Sequence, residues 1–217
     1  KIASAVRTGD VDDTLNGDWL GNLAADQGLI AVNAWKTLGT ALESQRIATV
    51  GTNLQTVHQG IGSLAVGAVD TGRVAVLNRI RNDVYVYTAT GALVTTFKPT
   101  GQGREVALRK DYAVVLTEAS ALEVHHSQTG ALIDTTPVSA GARNLDGHAG
   151  IAMFTVGKSV RAVRLASGKQ ATIAVSPKGI IDAQIDDAGL VYAYNPVTGV
   201  KGIGKLVFIP LSLVQAK

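Results

Sequence analysis

Two stretches of this sequence, GRVAVLNRIRNDVYVYTATGALVTTFKP from Gly72 and DYAVVLTEASALEVHHSQTGALIDTTPV from Asp111, follow one pattern. Each opens on a run of β-formers and breaks at a short polar turn. A second run then ends in Thr-Gly-Ala-Leu, and a third closes near a proline. The glycines of the two Thr-Gly-Ala-Leu motifs, Gly91 and Gly130, stand 39 residues apart. A unit of that length holds several short strands but too little apolar surface for a core of its own, so its copies must stack on one another.

Five copies stand in near register. The residues before each second strand are Gly28, Gly72, Lys110, Gly150 and Gly189, spaced by 44, 38, 40 and 39. Apolar triplets recur at matching points, as in Ala75-Val76-Leu77, Val114-Val115-Leu116 and Ala152-Met153-Phe154. Four short strands repeating near every 40 residues describe a propeller blade. The expected fold is therefore all-β, a β-propeller of about five four-stranded blades in a single domain over residues 1–217. The expected blades cover 17–60, 61–101, 102–140, 141–178 and 179–217, with 1–16 as a leading strand and linker. The last unit lacks an outer strand after Lys205 to Pro210, and Ile2 to Arg7 reads as a strand able to complete it. Two arrangements follow: a closed five-blade ring, or the C-terminal part of a six- or seven-blade propeller. The chain opens at Lys1 without an initiator Met or a signal-peptide pattern, which reads as a trimmed chain or a piece of a longer one.

Composition agrees with stacked strands. Apolar residues make up 46% and charged residues only 17%, below the roughly 25% usual in soluble domains. The 24 glycines suit frequent hairpins, and no sustained three-four apolar spacing marks a helix. A net charge of +3 without a basic run gives no case for nucleic acid as a partner. The absence of cysteine removes disulfides and thiolate metal sites. No apolar run reaches the roughly 18 residues of a membrane span.

The turns repeat by position. Asp26-Gln27-Gly28, Asp70-Thr71-Gly72, Asp146 to Gly150 and Asp186 to Gly189 are expected to join first and second strands. In such turns Asp accepts a backbone N–H two residues on, and Gly takes the positive φ. Thr90-Gly91, Thr129-Gly130 and Ser167-Gly168 are expected to do the same between third and fourth strands. With Thr90 to Leu93 and Thr129 to Leu132 in these places, the stretch from about Trp19 to Val214 resembles bacterial propellers of the quinoprotein-like and YVTN-like kind. It looks most like actinobacterial propellers of unassigned activity. The resemblance implies the fold and a secreted or cell-envelope location. The repeats lack the Trp that follows Gly in quinone-cofactor repeats, the Gly-His and Trp-Asp pairs of Trp-Asp repeats, and the double Gly of kelch repeats, so the resemblance implies no cofactor.

The chemistry-bearing residues have structural roles that account for them. His125 and His126 are adjacent in a strand and point to opposite faces, so they do not chelate one metal together; the expectation is one packed and one exposed ring. His58 and His148 stand alone. The paired carboxylates Asp12-Asp13 and Asp186-Asp187 meet the composition needed for glycosidase chemistry, yet a turn-starting role explains them. Ser127 and Ser159 lack a Gly-x-Ser-x-Gly context. Gly101-Gln102-Gly103 and Gly199 to Gly204 do not run from a strand into a helix, which a phosphate cradle requires.

One pattern goes further. In a propeller the fourth-to-first and second-to-third connections share one face of the disk. That sorting places Arg79, Arg81, Arg104, Arg143, Lys158, Lys178, Lys201 and Lys205 near one face, diluted by Asp83 and Glu118, and the Asp-x-Gly turns on the other. The expected function is a non-enzymatic binding or scaffold propeller that presents this face to a protein, a glycan or a small anion. Arg81, Arg104, Arg143 and Lys178 are the candidate ligand contacts, Arg because its planar fork matches carboxylate and phosphate. The alternative is a carbohydrate-active hydrolase or lyase that uses the propeller mouth. No catalytic residue, metal ligand or cofactor is assigned.

Overall fold

The computed structural model describes residues 19–26, 29–36, 42–49, 55–61, 64–70, 72–148, 150–196 and 204–215. The leading strand Ile2 to Arg7, Asp12-Asp13, the turn residues Gln27-Gly28, Lys201 and most of the Gly199 to Gly204 stretch lie outside them. Among the described residues, nineteen strands form five antiparallel sheets, each in simple chain order. The first holds β1 (Trp19–Asp26), β2 (Leu29–Lys36), β3 (Leu42–Thr49) and β4 (Gln55–Ile61). The second holds β5 (Leu64–Asp70), β6 (Arg73–Asn78), β7 (Asp83–Thr88) and β8 (Leu93–Phe97). The third holds β9 (Gly103–Arg109), β10 (Tyr112–Thr117), β11 (Ala121–His126) and β12 (Leu132–Pro137). The fourth holds β13 (Arg143–His148), β14 (Ile151–Val156), β15 (Ser159–Arg164) and β16 (Gln170–Val175). The fifth has three strands, β17 (Ile180–Ile185), β18 (Gly189–Tyr194) and β19 (Lys205–Pro210), followed by a short helix, α1 (Leu211–Gln215).

The second strands explain the continuous apolar triplets. Successive side chains of a strand point to opposite faces, and both faces of these sheets are covered. In β10, Ala113 and Val115 pack with Leu77, Val84 and Val86 of the second sheet. Val114 and Leu116 pack the other way, with Ala152, Phe154 and Val163 of the fourth. Ile151, Met153 and Val160 then meet Ile180, Leu190, Tyr192 and Tyr194 of the fifth sheet. Leu29 and Ala31 meet Val74, Val76 and Tyr87 across the first seam. Contacts between consecutive sheets run through their first strands, β1 with β5, β5 with β9, β9 with β13 and β13 with β17. The first strands are thus innermost, and β8, β12 and β16 carry mostly exposed or half-buried residues at the rim.

The last sheet differs. One face packs on the fourth sheet, while Ile181, Val191, Leu206 and Phe208 lie exposed on the other. The described residues therefore leave that face of the fifth sheet exposed. Val214 of α1 is buried at the seam between the fourth and fifth sheets.

Candidate functional site

Inner strands all run in one direction, so the propeller has two distinct ends. One end carries the β6–β7, β10–β11 and β14–β15 turns together with the links between sheets. Arg81 stands exposed in the β6–β7 turn, Arg104 is the second residue of β9, Arg143 is the first residue of β13, and Lys178 lies exposed in the link before β17. The topology brings all four to this end, joined by Arg79, Lys98, Lys158 and Lys205. Opposing carboxylates are fewer: Glu118 holds Arg79 at 3.0 Å, Asp83 lies 3.7 Å from Lys98, and Glu105 lies 3.6 Å from Arg104.

The loops at this end are held by side-chain amides. Asn78 Oδ1 accepts the N–H groups of Ile80 and Arg81, each at 3.1 Å, which shapes the turn carrying Arg79, Ile80 and Arg81. Asn82, with φ of 58°, donates to Pro99 O at 3.3 Å and Gly101 O at 3.0 Å and accepts Gly103 N–H at 2.7 Å. It ties this turn to the link into the third sheet. Behind that link the buried Glu123 accepts Thr100 N–H at 2.8 Å and Gly101 N–H at 2.7 Å. These bonds hold the exposed cations on a stiff frame, so binding at them would lose little loop entropy.

The four candidates are not equivalent. Arg143 donates to Ile180 O at 2.7 Å, and its neighbour Asn144 donates to Ile181 O at 3.0 Å. Part of the Arg143 fork is thereby committed to the seam between fourth and fifth sheets. Arg104 is mostly covered, and its buried Nη2 has no hydrogen-bond partner among the described residues. Arg81 and Lys178 are exposed.

The opposite end is mixed in charge, where the turn pattern indicated an acidic face. Arg73, Arg109, Lys110, Arg164 and Lys169 stand there among the aspartates. Two of those aspartates depart from the expected turn role. Asp70 Oδ2 accepts the Lys110 N–H of the next sheet. Asp146 lies inside β13, whose last residue, His148, pairs with Ile151 at the start of β14. Asp146 accepts Arg109 Nη2 at 3.0 Å, Gly147 N–H at 2.8 Å and Ile185 N–H at 2.9 Å. It therefore clamps the third, fourth and fifth sheets together. Burial raises its pKa above 3.8, against the lowering effect of Arg109 and the two amides, and Asp182 raises it further. Three of its roughly four acceptor sites therefore hold structural donors, two on Oδ1 and one on Oδ2. Asp186 does start its turn, with Oδ1 accepting Ala188 N–H at 2.8 Å and Gly189 N–H at 3.1 Å. Asp187 is exposed, with His148 Nε2 at 3.5 Å.

The remaining histidines are structural. His125 is buried, stacks on Phe97 at 4.2 Å, donates from Nδ1 to Gly130 O at 3.0 Å and faces Glu123 at 3.3 Å. His126 is half-buried on the opposite face. His58 sits across the first seam, 2.6 Å from the Tyr87 hydroxyl and 4.2 Å from the Tyr85 ring. Burial lowers its pKa below 6.5, and Arg81 lowers it further; burial pushes Tyr87 up to about 12, with Tyr85 adding to the rise. The Tyr87 hydroxyl accordingly stays protonated, and it shares one hydrogen bond with His58 Nδ1. Among the described residues no three His, Cys, Asp or Glu side chains converge on a metal position.

No protein-family model matches the sequence, and no curated protein matches it either. Solved structures match by fold. Hsv2 of Kluyveromyces lactis superposes with a TM-score of 0.56 at 12% identity, over 89% of this chain and 73% of Hsv2. BamB of Moraxella catarrhalis gives 0.53 at 12% identity, over 81% of this chain and 60% of BamB. Glutaminyl cyclase of Myxococcus xanthus gives 0.51 at 13% identity, over 88% of this chain and 89% of the cyclase. All three are β-propellers. The chain has the β-propeller fold, with blades made by the sheets described above.

Proposed function

We propose that this protein is a binding propeller that offers its basic end to an anionic group, carried by a protein, a glycan or a small molecule. One observation carries the reading: Arg81, Arg104, Arg143 and Lys178 share the end at which loops are held by Asn78, Asn82 and Glu123. Fixed cations with few opposing carboxylates steer anions and hold them without reordering the loops. Arg81 and Lys178 make the exposed contacts, Arg104 adds charge from its mostly covered position, and Arg143 adds charge while bracing the frame. The resemblance to secreted propellers supports a cell-envelope or extracellular location as part of the same proposal.

The test uses heparin and a polyglutamate peptide as probes in surface plasmon resonance. The doubly substituted Arg81→Glu, Lys178→Glu protein is expected to bind at least one of them about tenfold more weakly at about 0.15 M salt. Asp187→Asn at the other end is expected to change affinity less than about twofold. Far-UV circular dichroism confirms that the variants fold. Equal affinity of wild type and double variant, or no binding of either probe, would remove the proposal.

A further inference from the structure

The seam between the fourth and fifth blades holds a pocket at the end opposite the basic one. It measures about 80 Å³, and its walls are Ile151 of β14, Ala162 of β15, Ala171 and Ile173 of β16, and Val214 of α1. Its cause lies in the repeat. Ala162 pairs with Met153 on one side and with Ala171 on the other. In the third blade the corresponding residue is Val124, which pairs with Val114 and Asp134 and packs in one cluster with Phe154 and Leu165 of the next. Two alanines side by side leave a space where larger side chains would meet. The mouth of that space is cationic. Ile151, Ala162, Ile173 and Val214 are buried, whereas Arg164 and Lys169, which also line the pocket, are exposed. Their turn holds the two together: Arg164 N–H donates to Lys169 O at 2.9 Å, and Gly168 N–H, at φ +63°, donates to Arg164 O at 2.9 Å. Gln170 turns its amide away to Pro137 O at 2.6 Å. None of the described residues lining the pocket is acidic.

We propose that this pocket binds a short aliphatic carboxylate, with its chain against Ile151, Ala162 and Ile173 and its carboxylate at Arg164 and Lys169. An apolar floor under two cations suits a ligand that is apolar at one end and anionic at the other. An inorganic anion would leave the walls unfilled, and a neutral hydrocarbon would leave the cations unused. The Arg164 guanidinium matches the planar fork of a carboxylate, and Lys169 adds a second charge beside it. The volume holds roughly six water-sized spheres, which limits the chain to about four to six carbons. Within that limit each buried methylene strengthens binding roughly fourfold.

Titration of protein labelled at its isoleucine methyls, followed by NMR, tests the proposal with butyrate, hexanoate and 1-hexanol as probes. Hexanoate is expected to shift the Ile151 and Ile173 methyl signals with a Kd of about 1–5 mM and to leave Ile30 of β2 unmoved. Butyrate is expected to bind at least about fivefold more weakly. Arg164→Gln with Lys169→Gln is expected to weaken hexanoate at least about tenfold and to change 1-hexanol less than about twofold. Ala162→Leu fills the space and is expected to remove binding of both, and Ala171→Val gives a second reading should the first variant misfold. The Arg81→Glu, Lys178→Glu protein is expected to bind hexanoate as the wild type does, so this proposal and the basic-end proposal fail separately. No shift at either isoleucine with about 50 mM hexanoate overturns the inference. So does equal affinity for hexanoate and 1-hexanol, or binding indifferent to the charge and filling variants. Binding that arises only after removal of Ala216 and Lys217 would assign the pocket to the residues following α1, which also overturns it.

Discussion

Gly130 shows how one residue of the Thr-Gly-Ala-Leu motif is selected. Its φ is +74°, and a Cβ there would lie 2.8 Å from Phe97 Cβ. The backbone passes so close because Phe97 fills the space between Gly130 and the His125 ring. Gly130→Ala is expected to destabilise the protein by about 2–4 kcal/mol, from strain at positive φ together with overpacking; urea unfolding measures it, and a change under about 1 kcal/mol would show that Phe97 yields. His58 sets a pH dependence. Its folded pKa lies below the unfolded value of 6.5, so the unfolded chain takes up the proton first as pH falls. The contribution is complete above about 6.5 and is lost as pH falls through the lowered folded value. The melting temperature is expected to fall between about pH 7.5 and 5.5 more steeply in the wild type than in His58→Gln; parallel curves would exclude His58 as the cause.

At the scale of elements, the β-sheets were readable and their ties to one another were not. Alternation and turn residues place β6, β7, β10 and β19 to within a residue or two. No local motif marks Asn82, Asn144, Glu105 or Asp146 as bridges between blades, because each acts on backbone roughly 20 or 40 residues away. The Glu105 carboxylate, for example, accepts Leu145 N–H at 2.6 Å. A useful signal is a polar residue at the same repeat position in neighbouring units, as Glu105 and Asn144 are, 39 residues apart. Asn82→Ala removes three bonds from the β6–β7 turn and is expected to cost about 2 kcal/mol. Hydrogen exchange at the Gly103 amide, which loses its acceptor, is expected to quicken; unchanged protection would mean that Asn82 does not hold this link.

At the scale of the whole molecule, charge divides by end. The proposed anion binding should weaken as salt rises, since exposed cations separated by more than a Debye length are screened. The 39-residue period, the apolar triplets and the turn glycines determined the fold class without any tertiary information, because a unit too small for its own core must stack and pair locally. Only the tertiary structure decided that Asp146 is a clamp and that Arg143 is partly committed to Ile180. It also decided that Val191, Leu206 and Phe208 of the fifth sheet are exposed while Leu190 and Tyr192 are buried. Each of those depends on which neighbour lies across a seam, and a repeat makes every seam look alike along the chain.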